Sequence, residues 1–188
     1  MLPGFFIMNK SAFLFPFVLL GCVVFALENS ATAIAIVLAM LIHECGHMLA
    51  IKITGGNMLG ASVSSVGACI SCSGSNLSLR QEILVYIAGP CAGAISAIAG
   101  HYLGFELFAW VSFGLSVMNM LPSVPFDGGC ILRSVCGGTT KFLVISSVIV
   151  GLILCLLGLY SVWSGGNFTV FAAGIGVFVS LVGKSSLQ

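Results

Sequence analysis

The sequence predicts an all-α integral membrane protein with about six transmembrane helices and a short membrane-associated β-hairpin after the second. Of the 188 residues, 59% are hydrophobic and only 6% are charged. Soluble domains average about 25% charged residues. Polar or glycine-rich breaks divide the apolar residues into runs that can cross a bilayer. Because no internal repeat or linker composition is visible, we expect a single transmembrane domain over residues 1–188.

The predicted spans are apolar runs that end at polar, glycine or proline residues. They cover residues 12–27, 31–51, 82–102, 105–121, 142–162 and 168–182. The first and last are short for a helix that needs about 20 residues to cross the hydrocarbon core. The first run has an alternative as a signal peptide, because Lys10 precedes it and the small residues at 31–33 resemble a cleavage site. Cleavage there would leave the new terminus against the second run with no exported domain, which favours a retained helix.

The second run carries the most informative motif of the chain, His43-Glu44-Cys45-Gly46-His47. Residues four apart share a helix face, so both histidines can bind one metal ion, with Glu44 beside them as a general base for hydrolysis. Ionisable residues at membrane depth are costly and mark functional sites. The motif therefore predicts a hydrolytic site with one zinc ion per chain, while imidazole and carboxylate ligands also accept other metals.

A third metal ligand is expected, because a catalytic zinc usually takes three protein ligands. We predict Asp127, which follows the fourth run. The second and fourth runs head for the same side of the membrane. At 1.5 Å per residue, His43 and His47 lie roughly 6 to 12 Å inside the end of the second run, near the depth of Asp127. Pro122 and Pro125 predict an irregular chain at this depth.

Asn119 ends the fourth run and has two interpretations. As a catalytic residue it would hold a substrate amide or the developing oxyanion, which needs a neutral donor near the metal. As a structural residue it would satisfy helix carbonyls that Pro122 leaves without a partner. The sequence leaves both interpretations open.

The connection between the second and third runs predicts the hairpin. Its segment 55–66 is rich in glycine, serine and small apolar residues, a composition closer to a hairpin than to a helix. The segment is too apolar for a freely solvated loop, so we expect it to dip toward the membrane under cover of protein or a wet cavity. A plain cytoplasmic connector is the alternative. A free edge would allow an unwound substrate to bind as an added strand.

Segment 88–94 in the third run contains a proline among glycines and alanines. Proline kinks a helix, and small residues let neighbouring helices approach closely. Helix packing is therefore the expected role of this segment.

The distribution of charge predicts cytoplasmic N- and C-termini. With the N-terminus inside, Glu28 and Glu106 fall outside, as the positive-inside rule favours. All of the basic residues then fall on cytoplasmic segments: Lys10, Lys52, Arg80, Arg133, Lys141 and Lys184. The active site would face the cytoplasmic side of what we expect to be a prokaryotic cytoplasmic membrane, with the lipid bilayer as a partner. The absence of a basic block argues against nucleic acid as a partner.

Four of the eight cysteines fall in loops on the predicted cytoplasmic side, namely Cys69, Cys72, Cys130 and Cys136. Together they would make a second zinc site or a redox pair. The alternative is that they are reduced and unliganded, which is the usual state of cytosolic cysteines.

The motifs resemble those of the site-2 protease family, the intramembrane zinc metalloproteases. The residues that carry the resemblance stand in the family's order: His43-Glu44-Cys45-Gly46-His47, Ala88-Gly89-Pro90, and Asn119, Pro122, Pro125 and Asp127-Gly128-Gly129. The resemblance implies a membrane-spanning protein as substrate. The six-run layout looks most like the branch that contains the sporulation-factor processing protease, without that branch's regulatory domain. Any regulatory partner is left unknown.

The predicted function is an intramembrane zinc endopeptidase that cleaves transmembrane segments of membrane-anchored substrates, as in regulated intramembrane proteolysis. A substrate helix shields its own amides in its hydrogen-bond ladder, so it must unwind locally. The alternative from another class is a metal or proton transporter that uses the same His, Glu and Asp residues. Transporters often have paired halves with interrupted helices in corresponding positions, which this chain lacks. A non-catalytic binder is a third interpretation, against which Glu44 argues because metal binding alone does not require it.

Overall fold

The computed structural model describes residues 29–55, 62–64, 67–69, 77–124, 126–138, 140–166 and 169–185. Most of these residues are helical. The helices are α1 (Ser30–Ile53), α2 (Leu79–Tyr102), α3 (Glu106–Asn119), α4 (Asp127–Val135), α5 (Lys141–Trp163) and α6 (Thr169–Ser185). Two three-residue strands lie between α1 and α2, β1 (Ser62–Ser64) and β2 (Gly67–Cys69).

Three helices are long and apolar enough to cross a membrane, namely α1, α2 and α5. They correspond to the second, third and fifth predicted spans. The fourth predicted span, 105–121, is a helix of 14 residues, because the turn at Gly104 and the break after Asn119 limit it. The sixth, 168–182, corresponds to the 17-residue α6, and the first, 12–27, lies outside the described residues. The structure therefore supports three candidate spans, and six spans stay a prediction.

The strand pair overlaps the predicted hairpin only in part. The strands are antiparallel, with Ser62 opposite Cys69 and Ser64 opposite Gly67, whereas the prediction placed the hairpin at 55–66. Association of this segment with a membrane stays a prediction.

Helices α1 and α2, like α5, begin at side-chain caps. Asn29 Oδ1 accepts a hydrogen bond from the Thr32 N–H at the start of α1 (2.9 Å). Ser78 and Gln81 form a reciprocal capping box at the start of α2. These bonds satisfy N–H groups that have no carbonyl partner in the first helical turn. The starts of both helices are therefore set by residues adjacent in sequence.

The buried face of α1 follows a four-residue repeat that includes Ala35, Ala39, His43, His47 and Ile51. Residues four apart lie on one face of a helix, so both histidines belong to the same stripe as small packing residues. Helices α2 and α3 pack against α1, and α4 packs against α2. The face of α1 that carries the metal-binding motif is thus its packing face.

Glycines set the spacing of the first three helices. A Cβ built on Gly46 of α1 would lie 2.5 Å from the Ala88 carbonyl oxygen of α2. A Cβ built on Gly93 of α2 would lie 2.3 Å from Ser116 Oγ of α3. Both distances are shorter than a real Cβ contact, so the backbones approach closely only because these residues are glycines.

Helices α5 and α6 pack together through glycines of their own. A Cβ on Gly158 would lie 2.4 Å from the Phe171 Cα, and a Cβ on Gly174 would lie 2.7 Å from the Cys155 backbone nitrogen. The contacts of α5 with α4 are few by comparison. The described helices therefore form a body of α1 to α4 and a closely packed α5–α6 pair.

We expect Gly158→Ala to destabilise the protein, because the added methyl group meets the backbone of α6, which cannot rotate away. The expected loss is about 1–3 kcal/mol of unfolding free energy, the usual cost of overpacking. Gly114→Ala is the matched control: no atom lies within 4 Å of a Cβ built there on α3, and alanine should add about 0.5–1 kcal/mol. Thermal unfolding in detergent, followed by circular dichroism, compares the two variants. Equal shifts in melting temperature would contradict the tight α5–α6 contact.

Candidate metal centre

Helix α1 places both histidines of the motif on its buried face. The ring centroids of His43 and His47 are 4.8 Å apart and the ring planes are nearly perpendicular, at 82°. The two Nε2 atoms are 3.1 Å apart. The residues are 5% and 4% exposed, respectively. Two imidazole nitrogens therefore face a single buried point.

Asp127 reaches this point from the first residue of α4. Its Oδ2 lies 3.1 Å from His43 Nε2 and 3.3 Å from His47 Nε2. Across the residues that the structure describes, this is the one group of three His, Cys, Asp or Glu side chains arranged to hold a metal ion, with ligand atoms within 4.8 Å of one another. The structure thus brings the three predicted ligands together, while their role as ligands stays a prediction.

The contacts of His47 test whether the cluster fits a metal ion. His47 Nδ1 lies 2.7 Å from the Val85 carbonyl oxygen. A carbonyl oxygen only accepts, so Nδ1 carries the proton and Nε2 presents a lone pair. Asp127 Oδ2 is buried and lies against the imidazole nitrogens, including the His47 Nε2 lone pair at 3.3 Å. Two electron-rich atoms at this separation repel unless a cation lies between them, so the residues present fit a metal ion. Two nitrogens and a carboxylate suit zinc with one position left open.

Gly89 belongs to the site, although the sequence predicted only a packing role for its segment. A Cβ built on Gly89 would lie 2.3 Å from His47 Nε2 and 2.5 Å from Cε1 of the same ring. No larger residue fits without displacing the nitrogen that faces Asp127. Val85, four residues earlier on α2, accepts the bond from Nδ1, so one turn of α2 fixes both ring nitrogens. A glycine before Pro90 inside an apolar helix is the sequence signal for such a close approach.

An irregular turn that includes residues 120–124 precedes Asp127 and places it at the histidines. Two glycines after the aspartate allow α4 to begin against this turn. A Cβ on Gly128 would lie 2.3 Å from the Met120 carbonyl oxygen, and a Cβ on Gly129 would lie 2.4 Å from that of Ser123. The glycines therefore let the aspartate start a helix where any side chain at the next two positions would meet backbone.

Glu44 lies next to the cluster on α1. It is half-buried and close enough to His43, His47 and Asp127 to interact with them electrostatically. A carboxylate in this position can exchange a proton with a group held by the cluster. Its catalytic role is not tested by these contacts.

Asn119 is the last residue of α3 and is half-buried. Its Nδ2 donates to the Leu115 carbonyl oxygen at 3.0 Å. The carbonyl whose helical partner Pro122 removes is that of Met118 and not that of Leu115, so the structural interpretation also stays a prediction. The bond uses one of the two side-chain N–H groups. The other N–H is available for the catalytic interpretation, which stays a prediction.

The predicted cysteine site is not tested. Cys72 lies outside the described residues, as does the side chain of Cys69. In α4 and just after it, Cys130 is buried and Cys136 is exposed. A second metal or redox site at these four residues stays a prediction.

A comparison with protein families matches residues 99–158 to peptidase family M50. This stretch contains α3, α4 and most of α5, and so includes Asp127. The histidine motif lies before it. The family match and the two histidines of the motif therefore rest on different residues, and each is independent evidence for the site.

Two known proteins are similar to this chain. A protein of Synechocystis sp. that is named a putative zinc metalloprotease is 23% identical over 116 residues, 55% of this chain and 31% of that protein. The chain thus spans about a third of the length of this relative. The site-2 protease from Methanocaldococcus jannaschii has the same fold, with a TM-score of 0.65 over 91% of this chain and 88% of that one, at 21% identity.

Three helices suited to crossing a bilayer, together with this fold, make the chain an integral membrane protein. The comparisons do not favour the metal or proton transporter considered as an alternative. Placement in the sporulation-factor branch stays a prediction. The chain is therefore similar to peptidase family M50 over residues 99–158 and to a site-2 protease in its fold, and it contains a buried His-His-Asp cluster.

Proposed function

We propose that the chain is an intramembrane endopeptidase with one zinc ion, and that it cleaves transmembrane segments of membrane-anchored proteins in regulated intramembrane proteolysis. The observation that carries this proposal is the meeting of His43, His47 and Asp127 among helices of membrane length. Ionisable groups at such depth are retained for function. A hydrolytic site there is accessible to a substrate that itself lies in the bilayer.

The proposed mechanism assigns distinct roles to the residues of the cluster. His43, His47 and Asp127 would hold the ion, and Val85 and Gly89 would fix the His47 ring. Zinc in a site of this kind lowers the pKa of a water ligand and polarises a carbonyl group. Glu44 would accept a proton from the attacking water and deliver it to the leaving amine. Holding the ion does not require Glu44, so its presence supports hydrolysis over binding alone.

Asn119 would bind the substrate next to the reacting carbonyl. One N–H is used on Leu115, and the second would donate to a substrate amide or to the developing oxyanion. The bond to Leu115 would then hold the amide plane in a fixed direction.

We place the active site toward the cytoplasm, with both termini on that side of a prokaryotic cytoplasmic membrane. Charges at the helix ends support this orientation. Lys52 lies in the last turn of α1, Arg80 in the first turn of α2 and Lys141 at the start of α5. The turn between α2 and α3 instead has Glu106, whose Oε1 lies 2.9 Å from Nδ1 of the exposed His101. The positive-inside rule assigns the lysine and arginine ends to the cytoplasm.

Neutralising Glu44 and removing Asp127 should separate chemistry from metal binding. We expect Glu44→Gln to keep zinc and to lower cleavage by about 10²–10⁴-fold, because it removes the proton acceptor. We expect Asp127→Ala to lower zinc affinity by about 100-fold or more, because it removes a ligand, and to lose cleavage with the metal. Elemental analysis and cleavage of a panel of single-span membrane proteins by purified protein measure both effects. A chelator should abolish cleavage and added zinc should restore it.

Glu106→Gln is the matched control, since it neutralises an exposed carboxylate at the other end of the helices. It should keep both zinc and cleavage. Undiminished cleavage by Glu44→Gln, or absence of zinc from the wild-type protein, would show that the proposed mechanism is wrong.

Gly89→Ala should weaken zinc binding without unfolding the protein, because the new methyl group occupies the space of His47 Nε2. We expect zinc affinity to fall at least about tenfold. Gly114→Ala, which adds the same methyl group at an open position, should bind zinc like the wild type. Competition with a chromogenic chelator measures affinity, and circular dichroism checks the helical content. Wild-type affinity in Gly89→Ala would contradict the close contact of α2 with the ring.

The segment that contains β1 and β2 is proposed to hold unwound substrate as an added strand. Replacing residues 56–69 with a glycine-serine linker of equal length should therefore lower cleavage of a membrane substrate. Zinc affinity should not change, because none of the three proposed ligands lies in the segment. Unchanged cleavage rates with the linker would exclude this role.

A further inference from the structure

Two neighbouring serines of α5 form hydrogen bonds with the turn that directly precedes Asp127. Ser147 Oγ accepts a hydrogen bond from the Val124 N–H at 3.0 Å. Ser146 Oγ donates to the Pro122 carbonyl oxygen at 2.6 Å. Val124 is 6% exposed and Ser147 is 0% exposed, so the first of these bonds is shielded from solvent. The two groups that the serines hold, the Val124 N–H and the Pro122 carbonyl, lie just before Asp127 in the chain.

Hydrogen bonds from each serine hydroxyl to a carbonyl of its own helix account for only part of these contacts. Ser147 Oγ donates to the Leu143 carbonyl oxygen at 2.7 Å, which is a common bond for serine in a helix. That bond uses the hydroxyl proton and leaves lone pairs for the Val124 N–H. Ser146 Oγ lies 3.0 Å from the same Leu143 oxygen, but its single proton has a shorter contact at Pro122. Each serine thus forms a bond outside its own helix.

The turn needs an external partner because of its prolines. Pro122 and Pro125 have no backbone N–H, so the turn cannot form a regular backbone ladder. The Val124 N–H is buried, and a buried N–H without a partner is costly. Ser147 supplies the acceptor. Without this hydroxyl the turn would have to shift to satisfy the N–H elsewhere.

The backbone position of Asp127 depends on this turn, whereas one helix carries both histidines. His43 and His47 are one helical turn apart on the same helix, which fixes their separation. The carboxylate comes from a different part of the chain, and α4 itself makes few contacts with α5. The hydrogen bonds of Ser146 and Ser147 therefore supply a specific link between α5 and the turn that bears the third ligand.

We propose that Ser146 and Ser147 are positioning residues for the proposed third zinc ligand. By fixing the Pro122 carbonyl and the Val124 N–H, they set the place of the turn so that Asp127 Oδ2 meets both imidazoles. This inference rests on the proposed function, because it takes the His-His-Asp cluster as the zinc site.

The test measures metal binding by the full chain in detergent. Ser147→Ala removes one anchor and Ser146→Val the other, and each should bind zinc about tenfold or more weakly in competition with a chromogenic chelator. The visible spectrum of the cobalt-loaded variants should also change, because it reports the geometry of the ligands. A merely structural role would lower the melting temperature but leave the cobalt spectrum of the folded protein unchanged.

Two variants serve as matched controls. Ser146→Thr keeps the hydroxyl at a half-buried position and has nearly the shape of Ser146→Val, so it should retain wild-type affinity. Ser96→Ala removes a hydroxyl of α2 that donates to Gly93 in its own helix at 2.8 Å, and it should also match the wild type. If Ser147→Ala does not fold, the Val and Thr pair at position 146 decides the question.

The outcomes separate this inference from the proposed function. Zinc affinities and cobalt spectra of Ser147→Ala and Ser146→Val that equal those of Ser96→Ala overturn the inference and leave the proposed function intact. A wild-type protein that binds no zinc, or binds it equally well after Asp127→Ala, overturns both.

Discussion

Repulsion between the His47 Nε2 lone pair and the Asp127 carboxylate is the constraint on which the described site depends. The Nε2 atoms of His43 and His47 and the Oδ2 of Asp127 meet at 3.1–3.3 Å. The Val85 carbonyl holds the proton of His47 on its other nitrogen, so a lone pair faces the carboxylate. Repulsion at this distance is strong in an apolar interior, where little water screens it. Helices α1, α2 and α4 are therefore packed in an arrangement that becomes favourable when a cation lies among the three atoms.

Close backbone packing makes this arrangement possible. Lipid tails are as apolar as leucine, so helices in a membrane associate through close contacts rather than through hydrophobic burial. Gly46 and Gly93 let α2 approach α1 and α3. Gly89 lets a side chain approach in the same way. Because it has no Cβ, the His47 ring can lie against the α2 backbone. Packing and site geometry are thus set by one helix face of α2.

The parts of the site that sequence predicts well are those set by local geometry or by topology. His43, Glu44 and His47 follow from helical spacing, and the placement of Asp127 followed from the direction of two apolar runs. Val85 and Gly89 could not be found in this way, because their contacts depend on the distance between two helices. The pairing register of β1 with β2 could not be predicted either. The same is true of the length of α3, because turns at Gly104 and after Asn119 limit that helix. Ser147 illustrates the same limit, because serine in a helix usually bonds only to its own backbone.

The proposed ligands lie on α1 and at the start of α4, directly after the turn, and this division would link metal affinity to the stability of the fold. A ligand that binds only the native state stabilises it, by about 2.7 kcal/mol at a concentration one hundred times its dissociation constant. Part of that free energy must overcome the repulsion between Asp127 and His47, and part must order the turn. If other contacts already order the turn, less of the binding free energy is used to order it, and the measured metal affinity is higher. The bonds to Ser146 and Ser147 lower the free energy needed to order the turn, because they satisfy one of its carbonyls and one of its N–H groups independently of the metal. A more stable turn should therefore give a higher metal affinity at the site.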